Sequence, residues 1–459
     1  MAQHLTRREL LAGAAASHSL PTSAFAQAAA RPNVIVIVAD DMGFGDLGAN
    51  GAADARTPVM DQLASGGMRF TDWHATSPVC SPSRASLLTG KYPQHAGVPR
   101  ILPSPPTWDQ PGLRAGETTL ATVLRQAGYR TAAIGKWHLG SAPHSRPVAQ
   151  GFDYFFGFYS GWIDYYSHRY YSLAPRQGLN PIMHDLWRND TEVFEEPLHQ
   201  TDLLAREARA FLARQSPGQP FFLYLAFGAP HYPMIAHPRH RERFAASMDR
   251  DRREHLAMVA GIDDAIGELL AELDRRGLDN TILFFQSDNG ATREERADHQ
   301  GRAYRGGSNG PFRAYKGSLF EGGHRVPAWV HWKGRIRPGQ VVSEPLMAMD
   351  LMPTLASLAG RPAPPGVDGI DLSRLWLEGV APPERTLYWE HAGQRAIRRG
   401  PWKLIEKPNE GLGTPQRAET WLSDLQEDAP ERQNHRLAHP GRAAELEEAL
   451  RAWRWPRTP

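Results

Sequence analysis

Residues 33–40, NVIVIVAD, set the strongest limit on how this chain can fold. An unbroken β-branched run cannot be a half-exposed strand, because every second side chain of a strand turns to the opposite face. It suits a strand covered on both faces, the environment of a parallel sheet held between helix layers. TILFFQSD at 281–288 has the same texture, and YRTAAIG, PFFLYLAF and PAWVHW supply further strands. Between them, TTLATVLRQAG, DLLAREARAFLARQ and EHLAMVAGIDDAIGELLAELDRRG have helical periodicity. The alternation predicts an α/β fold: a large, mostly parallel sheet sandwiched by helices, over residues 31–380.

From residue 385 the texture changes. TLYWEH, QRAIRRGPWKLIEK and TWLSD read as short antiparallel strands, and GRAAELEEALRAW reads as a helix. Residues 385–459 are expected to form a smaller α+β unit with an antiparallel sheet. RPAPPGVDGIDLSRLWLEGVAPPERT, rich in Pro and Gly, is expected to be the linker.

The first 26 residues read as an export signal. Arg7 and Arg8 precede the mildly apolar LLAGAAASHSL, and Ala24-Phe25-Ala26 offers a small-x-small cleavage site. The arginine pair resembles a twin-arginine signal, so the expected location is periplasmic or secreted, with export machinery as a partner. No apolar run approaches the roughly 20 residues that cross a bilayer, so no stable membrane insertion is expected. Lys plus Arg total 52 against 50 Asp plus Glu, a net charge of +2 that excludes broad nucleic-acid wrapping.

Chemistry in an open α/β sheet gathers beyond the carboxyl ends of its strands. NVIVIVAD leads into Asp40-Asp41, TILFFQSD into Asp288-Asn289, and YRTAAIGKWH into Lys136 and His138. Asp40, Asp41, Asp288 and Asn289 offer only oxygen, which suits hard Ca²⁺ or Mg²⁺, and irregular carboxylate–amide geometry favours calcium. Lys136 and His138, two apart, would project to one side of an extended chain. A lysine buried beside a metal implies an anionic substrate.

TSPVCSPSRASLLTG holds the only cysteine, Cys80, so no internal disulfide is available. Alone, Cys80 reads as a small buried hydrophobe, a metal ligand or the seed of a reactive group. Pro82 suits an early helical position and Gly90 a helix stop, which places Cys80 at a helix N-terminus that favours anions. Arg84 returns to the same side one turn later.

C-S-P-S-R at 80–84 and GYRTAAIGKWHLG at 128–140 resemble the two signatures of the sulfatases, members of the alkaline phosphatase superfamily. The likeness continues through ADDMGFGDLG, FFLYLAFGAPHYP, FQSDNG, GPFRAYKGSLFEGGHRVP and WLSDLQEDAPERQN. It implies a sulfuric ester hydrolase whose motif cysteine, Cys80, is oxidised by a separate maturase to formylglycine. It implies Asp40, Asp41, Asp288 and Asn289, together with the converted Cys80, as the calcium-binding set. It further implies Arg84, Lys136, His138, His231 and Lys316 around the sulfate, with Ser160 of FYSGW as a substrate-binding serine. His324 is either a pocket polar group or a packed histidine. The aromatic run GFDYFFGFYSGWIDYYSHRYYS divides between core and substrate-facing roles, and LWRNDTEV resembles a segment of aryl- and amino-sugar sulfatases. Two other functions stay open: a phosphonate or phosphate ester hydrolase of the same superfamily, and a non-catalytic binder of sulfated glycans.

Overall fold

The computed structural model describes residues 31–103, 108–171, 182–216, 218–297 and 302–453; the predicted export signal lies outside them. The described residues form one compact unit. Its main sheet contains β1 (Asn33–Ala39), β2 (Met68–Phe70), β3 (Arg130–Lys136), β4 (Tyr154–Phe158), β5 (Trp187–Arg188), β6 (Thr191–Glu192), β7 (Phe221–Ala226), β8 (Thr281–Ser287), β9 (Ala328–Trp332) and β10 (Gln340–Val342). Their spatial order is β10-β2-β9-β8-β1-β7-β3-β4-β5-β6.

The run NVIVIVA is central and wholly buried. Val34, Val36 and Val38 enter one core, shared with α2 (Cys80–Thr89), α3 (Leu120–Gln126) and α6 (Leu351–Leu358). Ile35, Ile37 and Ala39 enter a second core on the other face, with α1 (Pro58–Ser65), α4 (Gln200–Ala213) and α5 (Arg250–Arg276). Each buried Val or Ile contributes about 1.5–3 kcal/mol, so a polar residue at any of these positions would be costly. The period-2 alternation of side chains thus feeds two apolar layers at once, which explains the absence of polar alternation.

The five central strands, β8-β1-β7-β3-β4, run parallel. PAWVHW departs from expectation: β9 pairs antiparallel with β8. Two covered faces give the same apolar texture in either direction, so the run itself carries no orientation signal. β1 lies between β7 and β8, and the carboxyl ends of β1, β3, β7 and β8 face one rim.

The predicted C-terminal strands form a four-stranded antiparallel sheet, β11 (Thr386–His391), β12 (Gln394–Arg399), β13 (Trp402–Glu406) and β14 (Trp421–Asp424). α7 (Pro440–Ala452) packs on it through Ala443, Leu446 and Leu450. The expected linker is more structured than its prolines suggest. It holds the helix Ser373–Glu378, whose Trp376 stacks on Phe284 at 6.1 Å between centroids. Leu375 and Trp376 share the core beneath β1, and that burial outweighs the local chain breakers. No helix among the described residues is long and apolar enough to cross a membrane.

Candidate active site

Cys80 is the first residue of α2, after extended Val79, and the helix stops at left-handed Gly90 (φ 70°). Its Sγ lies 3.7 Å from Asp40 Oδ1, at the end of β1. One turn on, buried Arg84 donates from Nε to Asp288 Oδ2 at 2.9 Å, while Nη2 stands 2.8 Å from the same oxygen and 3.6 Å from Asp40 Oδ1. Helix α2 therefore joins the ends of β1 and β8.

Two lysines complete the charge pattern. Lys136 Nζ lies 2.6 Å from Asp40 Oδ2, and Lys316 Nζ lies 2.8 Å from Asp41 Oδ1. All of these groups are buried. Three carboxylates face three fixed cations, Arg84, Lys136 and Lys316.

The strand ends do not continue as straight chain. Asp41 and His138 are both left-handed, with φ of 64° and 54°, a strained state for non-glycine residues that clusters at functional sites. This corrects the expectation that Lys136 and His138 share one side of an extended strand: β3 ends at Lys136, and the turn sends the two side chains to different partners. Lys136 reaches Asp40, whereas His138 Nε2 donates to Leu102 O at 3.0 Å. With its proton on Nε2, His138 presents the lone pair of Nδ1, which is buried and has no hydrogen-bond partner among the described residues. Burial, then Lys136, hold His138 well below the usual imidazole range, so it is neutral.

His231 donates from Nδ1 to Tyr232 O at 2.8 Å, and its Nε2 lies 3.7 Å from Asp41 Oδ2. Ligand atoms of Asp40, Asp41, Cys80 and His231 all fall within 4.8 Å of one another. Asn289 donates from Nδ2 to Asp41 Oδ1 at 2.7 Å, leaving its buried carbonyl Oδ1 without a hydrogen-bond partner among the described residues. An orphaned buried oxygen beside carboxylates fits a hard cation. Burial raises Asp41, and it pushes Asp40 up to about 8 even with Lys136 opposing. Burial acts likewise on Asp288, but Arg84, Lys136 and Lys316 outweigh it and hold that carboxyl low. Extra positive charge would relieve the strained pair. The cluster can hold a metal ion.

The sulfatase family model matches residues 32–361. The chain belongs to the sulfatase family. It is 36% identical over 396 residues to arylsulfatase G of Rattus norvegicus, covering 80% of this chain and 72% of the relative. Identity to N-acetylgalactosamine-6-sulfatase of Mus musculus is 36% over 389 residues, covering 81% and 71%. The solved structure of Ps i-CgsB in complex with k-i-k-neocarrahexaose superposes with a TM-score of 0.80 at 31% identity, covering 93% of this chain and 94% of that one. This sulfatase is accordingly an enzyme, a sulfuric ester hydrolase of arylsulfatase-like type.

Within the sulfatase, Ser160 lines a small cavity with His138, Leu102 and Trp108. Its Oγ donates to Trp162 O at 2.8 Å, and its N–H donates to Asp185. Most of the aromatic run is core: Phe155, Phe156, Phe158, Tyr159, Trp162 and Tyr165 are buried. LWRNDTEV forms the β5–β6 hairpin at the sheet edge. His324 is a packed histidine. Its Nδ1 faces His74 Nδ1 at 3.0 Å, with Lys403 and Arg398 on the same buried cluster. Although His74, Glu321 and His324 have metal-like spacing, Lys403 already pairs with Glu321, and Arg398 pairs with Asp72, which lies 2.7 Å from His74 Nε2.

Sequence reading missed the groups that orient this site. Leu102 O orients His138, and Ser81 Oγ holds the Leu102 amide at 3.1 Å. Gly161 lies against the imidazole, where an added Cβ would stand 2.7 Å from His138 Cε1. A backbone carbonyl has no sequence signature, but the glycine directly after Ser160 was a visible signal.

Proposed function

We propose that this chain is an exported sulfatase that removes sulfate from an aryl or carbohydrate ester, using formylglycine made from Cys80 by a maturase and a calcium ion. Asp40, Asp41, Asp288 and Asn289 would hold the ion, which supplies charge opposite the sulfate oxygens. As a hydrated aldehyde, residue 80 supplies one hydroxyl for attack on sulfur and a second whose deprotonation expels sulfate.

Arg84, Lys136 and Lys316 offset charge spread over the sulfate oxygens in the transition state. His231, with Lys316, delivers a proton to the departing alcohol oxygen. His138 Nδ1 takes the proton of the second hydroxyl, its Nε2–H being committed to Leu102 O. Ser160 sits where it would contact substrate. The observation that carries the reading is the position of Cys80, at a buried helix N-terminus 3.7 Å from Asp40 and ringed by three cations. The sulfated-sugar and aryl names of the relatives support the substrate class, and the N-terminal arginine pair supports export.

Turnover of 4-nitrophenyl sulfate against its phosphate and phosphonate analogues tests this. Sulfate preference is expected from converted, calcium-loaded enzyme; preference for the phosphoryl analogues would move the chain to the phosphonate or phosphate hydrolases. Absence of turnover with retained glycan binding would make it a binder.

A further inference from the structure

We propose that Gln394, on the C-terminal sheet, is a positioning residue for leaving-group protonation, because it clamps the loop that carries Lys316. This deepens, and rests on, the reading of Lys316 as the partner of His231 in that step.

The Lys316 side chain meets Asp41, but its reach depends on where its backbone is held. On the catalytic side, Lys316 N donates to Ala291 O at 3.0 Å and Gly317 N to Pro78 O at 2.9 Å, two residues before Cys80. On the other side Leu412 N donates to Lys316 O at 2.8 Å and Ser318 Oγ donates to Asn409 O at 2.7 Å, and one side chain, Gln394, bridges Gly317 and Leu319. Gln394 Nε2 donates to Gly317 O at 2.9 Å, while Oε1 accepts from Leu319 N and Asn409 N, each at 3.3 Å. Two backbone N–H donors identify the carbonyl end of that amide, so its orientation is fixed by chemistry.

Gln394 is fully buried. Its amide therefore satisfies three buried backbone groups, and losing it leaves each of them unpaired. The segment is pinned again four residues on, where Lys403 Nζ lies 2.7 Å from Glu321 Oε1 and 3.3 Å from Glu431 Oε1. Both anchors leave the C-terminal sheet and end on the Lys316–Glu321 stretch. Hence the small sheet sets the placement of a catalytic ammonium without touching substrate.

Proton delivery depends on hydrogen-bond geometry, and a displaced donor costs most when the departing oxygen is a poor leaving group. Loss of fold stability alone lowers turnover of all esters alike. Gln394→Met keeps length and removes the amide. In converted enzyme, with aldehyde content measured, kcat for phenyl sulfate should fall about thirtyfold and that for 4-nitrophenyl sulfate less than about threefold, with both KM values within about twofold. Leu446→Ala, a core truncation on α7, is the control and should show no such split. If Gln394→Met does not fold, Gln394→Asn, one methylene too short to span the three groups, should show the same split. Equal losses on both esters from an active parent would overturn the role of Gln394 and leave the sulfatase reading intact. A parent inert to both esters would remove the functional reading and this role with it.

Discussion

Arg84 donates from Nε to one oxygen of Asp288 at 2.9 Å, with Nη2 2.8 Å from the same oxygen, and from Nη1 to Lys136 O at 3.2 Å. The other Asp288 oxygen, Oδ1, accepts the Asp41 N–H at 3.2 Å, so the carboxylate is held from two sides. A point charge cannot reproduce that fork. Arg84→Lys should keep the charge, lose the orientation of Asp288, and lower kcat for 4-nitrophenyl sulfate about a hundredfold, equivalent to ~3 kcal/mol. Steady-state kinetics on enzyme of matched Cys80 conversion checks this.

Asn289 contributes an oxygen that meets no donor among the described residues. Asn289→Ala should weaken calcium binding about 10- to 100-fold, with the carboxylates still in place. The readout is thermal: calcium should raise Tm of the parent, a chelator should reverse the rise, and the variant should need correspondingly more calcium for the same shift.

Gly161 faces the His138 ring so closely that a methyl group would stand 2.7 Å from Cε1. Gly161→Ala should push the imidazole away from Leu102 O and lower kcat about tenfold or more, while Tm changes little, because the strain falls on one side chain. Comparing kcat with Tm in the same preparation separates displacement of the base from general damage.

His391 tests the electrostatics away from the site. Burial lowers it to about 4, and its buried Nε2 has no hydrogen-bond partner among the described residues. A histidine with a depressed native pKa binds fewer protons folded than unfolded. Stability should therefore be unaffected above pH ~6.5 and decline as pH falls from there toward about 4, by up to roughly 3 kcal/mol. His391→Phe should flatten that decline in denaturant melts across the same window.

Much of this architecture is legible in local pattern. NVIVIVAD announces a doubly covered strand because its burial is continuous, and the acidic residues at the ends of β1 and β8 announce a shared carboxylate cluster because both follow buried strands. The CSPSR stretch places Cys80 and Arg84 one turn apart on any helix. Direction of pairing was not legible for PAWVHW, since an antiparallel neighbour buries the same two faces. Nor were the left-handed turns at Asp41 and His138, which tertiary contacts impose against local preference. Gln394 carries no signal at all: its significance comes from Gly317, 77 residues away in sequence.

Central to the account is a Cys80 that acts after conversion to an aldehyde. The most direct test is the mass of the peptide spanning Cys80, taken from protein that hydrolyses 4-nitrophenyl sulfate. The aldehyde or its hydrate should be present in proportion to activity. An unmodified thiol throughout an active preparation would contradict the account.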